Sequence, residues 1–251
     1  MRLEVEHLSR SFGAVKAVSD VSFGLAAGRM LALIGPNGAG KSTCFQCING
    51  QLRPDAGRVA LEGRDITHAS VASRARLGMG RTFQIAQVAA SLTVRQHMAL
   101  ALAARDPAVW RSVTGRAQRE ALEQADAWLA RFGLAGQAER LCAELPYPEL
   151  KRVELASALA LRPRVLLMDE PTAGMTRADR RALMALVRQE VEASGLAVLF
   201  TEHSMDVVFG FADAVLVLVR GRVIASGTPQ EVAADPAVRA AYLGTAAETA
   251  A

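Results

Sequence analysis

The chain has 251 residues, 51% of them apolar, enough for one large α/β domain or a core with a small subdomain. The formal net charge of +4 comes from arginines scattered along the chain rather than clustered with its few aromatics, which argues against a nucleic-acid-binding protein. Met1-Arg2-Leu3-Glu4 is no signal peptide and no apolar run approaches the length of a membrane span, so a cytoplasmic protein is expected, with any membrane contact made through a partner.

Residues 3–8 alternate apolar and charged side chains and predict an edge strand; residues 18–23 predict a second strand after the turn at Phe12-Gly13. Phe12 has two readings, a platform for a stacked nucleobase or an ordinary packing residue. Residues 30–34 form an apolar run of strand length. It leads into Gly35-Pro36-Asn37-Gly38-Ala39-Gly40-Lys41-Ser42-Thr43, which fits the phosphate-binding pattern G-x-x-x-x-G-K-[ST], and a helix is expected over 43–49. In that strand–loop–helix setting the glycines let successive backbone N–H groups turn inward and cradle phosphate oxygens at a positive helix end. Lys41 is placed to reach the β- and γ-phosphates and the Ser42 hydroxyl to take one position on Mg²⁺. Cys44 and Cys47 form a C-x-x-C with no second ligand pair; with Cys142 they read as buried thiols of a reducing compartment.

Residues 52–57 carry turn chemistry, and 58–61 a short strand. Residues 78–84 lead out of this first half and end on Gln84, which means little by itself. From 92 to about 161 alanine, leucine and arginine dominate and β-branched runs vanish. Helices are expected over 92–104, ended by Asp106-Pro107, and over 116–132, with Leu122, Ala125, Leu129 and Phe132 at helical spacing. Leu145-Pro146-Tyr147-Pro148 reads as a rigid, non-helical entry to a helix over 149–161. The block as a whole reads as a helical insertion between two halves of a parallel sheet.

Residues 165–168 are continuously apolar, as in a strand buried on both faces, and end in Asp169-Glu170-Pro171-Thr172. Two carboxylates at the end of a buried strand are costly unless a cation or a reacting water uses them. That end is also where open α/β sheets bind ligands. Asp169 is therefore read as the Mg²⁺ partner and Glu170 as the residue that polarises the attacking water, against the plainer reading of a helix-capping pair. An amphipathic helix follows over 177–192, with Arg177, Arg180, Arg181 and Arg188 as its solvated face. A buried strand over 197–200 stops at Thr201-Glu202-His203, which sets a histidine beside the carboxylate strand, placed to meet a γ-phosphate. Residues 214–219 and 222–225 read as a hairpin around Arg220-Gly221, residues 228–244 as two short helices, and 245–251 as a frayed tail. The phosphate-loop pattern occurs once, so no tandem nucleotide domain is expected.

Phosphate loop, Gln84, Asp169-Glu170 and His203, in that order with a helical block between, resemble the nucleotide-binding subunit of an ABC transporter over almost the whole chain. Gly80-Arg81-Thr82-Phe83-Gln84, the run 168–175, the run 200–205 and Tyr242-Leu243-Gly244 resemble the branch that serves branched-chain amino acid importers. The resemblance implies an α/β P-loop NTPase (RecA-like) core with an antiparallel β edge and an inserted α-helical subdomain, as one domain over 1–244. Residues 1–91 and 162–226 would form the core, 92–161 the insertion with the signature region, 227–244 the C-terminal helices, and 245–251 a disordered tail. It implies an ATPase at the inner face of the cell membrane that energises amino-acid import. The implied partners are transmembrane permeases, which would dock around 84–96, a second ATPase subunit and, indirectly, a periplasmic or extracellular solute-binding protein.

Carried over residue by residue, the resemblance implies that Phe12 stacks on adenine and that Gly35, Pro36, Asn37, Gly38, Ala39, Gly40, Lys41, Ser42 and Thr43 hold the triphosphate. Gln84 would touch Mg²⁺ or the water and report to the permease. Asp169 would serve Mg²⁺, Glu170 would be the base and His203 the γ-phosphate switch. Such subunits work as head-to-tail pairs, each facing the other's L-S-G-G-Q signature. Here that region reads Leu145-Pro146-Tyr147-Pro148-Glu149. Pro146 removes the serine hydroxyl, and Pro148 removes a glycine's N–H and its freedom of close approach. Thr176 also stands where Asp or Asn is frequent. A heterodimer is therefore expected, with the partner's full signature completing the site at Lys41 and Glu170. The competing readings are a soluble ABC-type ATPase not tied to transport, for which the usual long coiled coil or second nucleotide domain is missing, and a nucleotide-binding subunit with little turnover. No guanine-selective N-K-x-D is found.

Overall fold

The runs of uninterrupted apolar residues become the centre of the molecule. The computed structural model describes residues 1–105 and 115–241. In chain order, strands β1 (Leu3–Phe12) and β2 (Val15–Leu25) precede β3 (Met30–Ile34) and helix α1 (Lys41–Asn49). Then come β4 (Ala56–Leu61), β5 (Arg64–Asp65), α2 (Val71–Arg76) and β6 (Met79–Thr82). The helices α3 (Val94–Arg105), α4 (Gly115–Arg131) and α5 (Tyr147–Ala160) follow β6. The chain returns through β7 (Val165–Asp169), α6 (Arg177–Ser194), β8 (Ala197–Thr201) and α7 (Met205–Phe211). It continues with β9 (Ala214–Val219), β10 (Arg222–Gly227) and α8 (Pro229–Ala234).

The strands form two sheets. One is antiparallel, in the order β2-β1-β4-β5; the other runs β10-β9-β3-β8-β7-β6. In the second sheet β9, β3, β8, β7 and β6 are parallel and only β10 is antiparallel. Successive side chains of a strand point to opposite faces, and this sheet is covered on both. Met30, Ala32, Ile34, Leu166, Met168, Val198 and Phe200 pack toward the inserted and flanking helices. Leu31, Leu33, Val165, Leu167, Ala197 and Leu199 pack toward α1 and the antiparallel sheet. Leu33, Thr201 and Asp169 lie side by side across β3, β8 and β7, so the loops that follow these parallel strands open on one edge of the sheet.

Several expectations are corrected. β1 is an interior strand, paired with β2 on one side and β4 on the other; its alternation reports one wet face, not a free edge. Tyr147 and Pro148 belong to the first turn of α5, where the missing proline N–H has no helical partner to lose. Arg180 and Arg188 are not simply solvated. Arg180 donates to the Ser204 hydroxyl, and Arg188 donates to Asp213 Oδ2 at 3.1 Å and to the Phe211 carbonyl, tying α6 to α7 and to the loop after it. The three cysteines are buried free thiols, and burial together with Cys47 pushes the Cys44 thiol up to about 12. A helical stretch at 236–241 follows α8. The expected stop at Asp106-Pro107, the tail residues Tyr242-Leu243-Gly244 and the frayed end at 245–251 lie outside the described residues.

Candidate functional site

The loop after β3 is forced into its course by two glycines. Gly35 has φ +154, and a Cβ there would stand 2.1 Å from the Leu218 carbonyl oxygen. Gly40 has φ +100, and a Cβ there would stand 2.1 Å from the Ala17 carbonyl oxygen. Ala39 O accepts from Gly221 N at 2.9 Å, so β2, the phosphate loop and the β9–β10 turn are laced together. Gly40 is the left-handed cap of α1, and the first helical bond is Cys44 N to Gly40 O at 2.9 Å. The N–H groups before Cys44 have no helical acceptor and crowd the positive end of the helix. Gly40→Ala is expected to destabilise the fold by about 1–3 kcal/mol, as forced backbone strain does. It is also expected to lose nucleotide binding; thermal denaturation with and without ATP checks both.

Lys41 is buried and donates to the carbonyls of Gly35 at 2.7 Å and Pro36 at 3.1 Å. Burial lowers its pKa, while Glu170 and then Asp169 pull it back up. The ammonium therefore senses both strand-end carboxylates. Asp169 Oδ1 accepts from the Thr201 hydroxyl at 2.7 Å, and the same hydroxyl accepts from Glu170 N at 3.0 Å. Glu170 has φ 44, in the left-handed region that a side chain adopts only under constraint. The Thr201 hydrogen bond is part of that constraint.

Two distant segments converge on the Glu170 carboxylate. Gln84 Nε2 donates to Oε2 at 2.9 Å, and His203 Nε2 lies 3.0 Å from Oε1, donating when that nitrogen carries the proton. Each carboxylate oxygen keeps acceptor capacity beyond its one protein partner. Gln84, which means little in the sequence alone, is thus brought to the predicted base. The Tyr147 hydroxyl of the signature region donates to Gln84 O at 2.9 Å. Phe12 is 47% exposed at the end of β1 with the Arg10 guanidinium 5.0 Å from its ring centre, so it is not a core residue.

Two site residues were missed from sequence. Thr201 bridges Asp169 and Glu170, as above. Glu202 is buried; its Oε1 accepts from Thr172 N at 3.1 Å and from the Thr172 hydroxyl, and its Oε2 accepts from His203 N at 3.1 Å and Ser204 N at 3.3 Å. It holds the loop after β7 to the loop after β8. The available signal was a pair of polar residues ending an otherwise apolar strand, just before the histidine.

Mg²⁺ takes oxygen donors and usually keeps waters and phosphates in its shell, with one or two protein carboxylates. The Ser42 hydroxyl, Asp169 and the side-chain carbonyl of Gln84 are oxygen donors of that kind. Among the described residues Asp169 Oδ2 has no protein partner. The donor set fits the ion.

A family model described as ABC transporter matches residues 18–173, and one described as branched-chain amino acid ATP-binding cassette transporter matches 222–248. The chain is 36% identical over 250 residues to the high-affinity branched-chain amino acid transport ATP-binding protein LivG of Salmonella typhimurium, covering 97% of this chain and 98% of that one. It is 34% identical over 255 residues to the corresponding BraF protein of Pseudomonas aeruginosa, with the same coverage of each chain. The structure of MJ1267, an ATP-binding cassette of an ABC transporter in its ADP conformation, superposes with a TM-score of 0.82 at 31% identity, covering 96% of this chain and 98% of that one.

Proposed function

The chain belongs to the ABC transporter family, and from that premise we propose that it energises import of branched-chain or related amino acids by hydrolysing ATP at Lys41 and Glu170. It is an ATP-binding subunit and an ATPase of that family, with an ABC-type P-loop fold. The observation that carries the site assignment is the convergence of Gln84 and His203 on one carboxylate, in a site whose lysine senses that carboxylate. The solute class rests on the likeness to LivG and BraF and on the match at 222–248.

In the proposed reaction the loop 35–43 holds the triphosphate, with Lys41 turned from the Gly35 and Pro36 carbonyls onto the β- and γ-phosphates. Ser42, Asp169 and Gln84 would hold Mg²⁺, which would supply positive charge against the phosphate oxygens. Glu170, aimed by Gln84 and His203, orients a water and accepts its proton as the water oxygen bonds to the γ-phosphorus and the bond to ADP breaks. In this reading His203 also meets the γ-phosphate, and Phe12 stacks on the adenine. Uptake of labelled leucine, isoleucine or valine by vesicles holding the whole transporter is expected to fall to background with Glu170→Gln; undiminished uptake would sink this reading.

Among the described residues no helix is long and apolar enough to cross a membrane, and the permeases supply the span. They are proposed to seat in an open groove of about 240 Å³ lined by Phe83, Gln87, His97, Leu100, Ala101 and Leu161. Ile85, 72% exposed, lies in the same loop. In this reading the subunit sits on the inner face of the membrane. As proposed domain limits, 92–161 is the insertion within a core of 1–91 and 162–226, followed by 227–244.

The partner ATPase is proposed to be a different chain, with the solute-binding protein contacted only through the permeases. Pro146 caps α5 without a side-chain bond, the first α5 bond is Leu150 N to Pro146 O at 3.0 Å, and Pro148 has no N–H. Only Tyr147 and Glu149 then offer first-turn N–H groups to a nucleotide across the interface, and no hydroxyl stands at the cap. Restoring the missing donors with Pro146→Ser and Pro148→Gly is expected to raise ATP turnover by the chain alone at least about tenfold, given the usual worth of such donors. Steady-state phosphate release at several protein concentrations checks it.

A further inference from the structure

The signature helix α5 carries two buried charges that the reaction above does not use. Lys151 and Glu154 have side chains 2% and 5% exposed and pair at 2.7 Å, one turn apart. Burying such a pair gives little net stability, because desolvation offsets most of the attraction. What distinguishes this pair is where its remaining hydrogen-bonding capacity goes. Glu154 Oε1 accepts from the backbone N–H of Phe83 and of Gln87, both at 3.1 Å. Lys151 Nζ donates to Phe83 O at 2.5 Å. With Tyr147 on Gln84 O, side chains at positions 147, 151 and 154 bind four backbone groups of the segment that carries Gln84. Spacings of four and three place them on one face of the helix. The segment follows β6 and makes no regular ladder of its own here.

We infer that Glu154 is a positioning residue: with Lys151 as its buried counter-charge, it fixes the backbone of residues 83–87 so that the Gln84 amide meets the Glu170 carboxylate. The inference rests on the reading of Gln84 and Glu170 as parts of the ATPase site. Glu154 also lines the proposed permease groove beside Phe83 and Gln87, so a partner seated there presses on the same clasp.

The test compares two double variants that both remove the ion pair. Lys151→Met with Glu154→Gln keeps a side-chain oxygen for the two N–H groups; Lys151→Met with Glu154→Leu does not. Each is assayed for ATP turnover together with the second ATPase subunit. The glutamine version is expected to keep kcat within about threefold of wild type. The leucine version is expected to lose about tenfold or more in kcat with KM for ATP changed by less than twofold, and its amides in 83–87 to exchange faster while those of 35–43 do not. A pair with only a structural role predicts equal kcat for the two, and that equality overturns the inference. A folding failure of either variant leaves a direct check on the wild-type chain, where the Phe83 and Gln87 amides are expected to be protected from hydrogen exchange. Exchange at the rate of free loop amides overturns the clasp. If the ATPase reading itself fails, wild-type turnover does not depend on Glu170, whatever those amides do.

Discussion

Replacing Glu170 with glutamine is expected to leave ATP binding intact and to slow hydrolysis by on the order of 10²- to 10⁴-fold, the usual worth of a general base. The carboxylate sits where β7 ends, on a left-handed backbone, with Gln84 Nε2 at 2.9 Å and His203 Nε2 at 3.0 Å. Glutamine has the same shape and keeps an oxygen for one of these donors, but it takes no proton from water. It also removes the larger of the two charges that raise the Lys41 pKa, and burial keeps lowering it. The phosphates of ATP bring their own negative charge to that ammonium, so affinity is expected to hold. Equilibrium binding of a fluorescent ATP analogue and steady-state phosphate release separate the two effects. Equal loss of binding and turnover would mean that Glu170 builds the loop rather than the reaction.

The second large effect is expected at Lys41. Lys41→Met keeps the length of the side chain and removes the ammonium. Loss of a hydrogen bond to a charged phosphate corresponds to about 1.5–3 kcal/mol, about 10- to 150-fold in dissociation constant. Stability is expected to move the other way. Lys41 is 7% exposed and its pKa is lowered chiefly by burial, so the folded chain carries the desolvation of a charge that methionine lacks. A variant that melts at or above the wild-type temperature without ATP, yet gains little from added ATP, is the expected pattern. This is the trade of stability for function seen when a site holds a strained or buried charge. A variant that melts lower and still binds ATP with wild-type affinity would contradict the assignment.

The phosphate loop, Asp169-Glu170 and His203 were readable from the chain because their chemistry is local. Each stands where an apolar strand gives way to polar residues, and the parallel register of β3, β8 and β7 brings those ends together. Gln84 was readable only through resemblance, since its meaning lies in a contact 86 residues away. Phe12 lies exposed at the end of β1 with the Arg10 guanidinium over its ring, a placement that its sequence neighbours do not reveal. Lys151, Glu154 and Glu202 look like ordinary charges in the sequence; their partners are backbone groups of other loops, which no periodicity records. The same holds for Arg74, whose buried guanidinium donates to the carbonyls of Cys47 at 2.9 Å, Thr67 at 2.8 Å and Ala69 at 3.0 Å. β1 misled for a related reason. Alternation reveals which face of a strand is wet but not whether its edges are paired, and both edges of β1 are.

The measurement that bears most directly on the whole account is steady-state ATP hydrolysis by the purified chain with and without the second ATPase subunit, with Glu170→Gln as the background. The chain alone is expected to stay near that background, because Pro146 and Pro148 deprive the opposite site of a hydroxyl and an N–H donor. Adding a partner with a full signature is expected to produce turnover that disappears when Glu170→Gln replaces the wild-type chain. Full turnover by the chain alone would contradict the heteromeric site, and turnover that survives Glu170→Gln would contradict the assignment of the base.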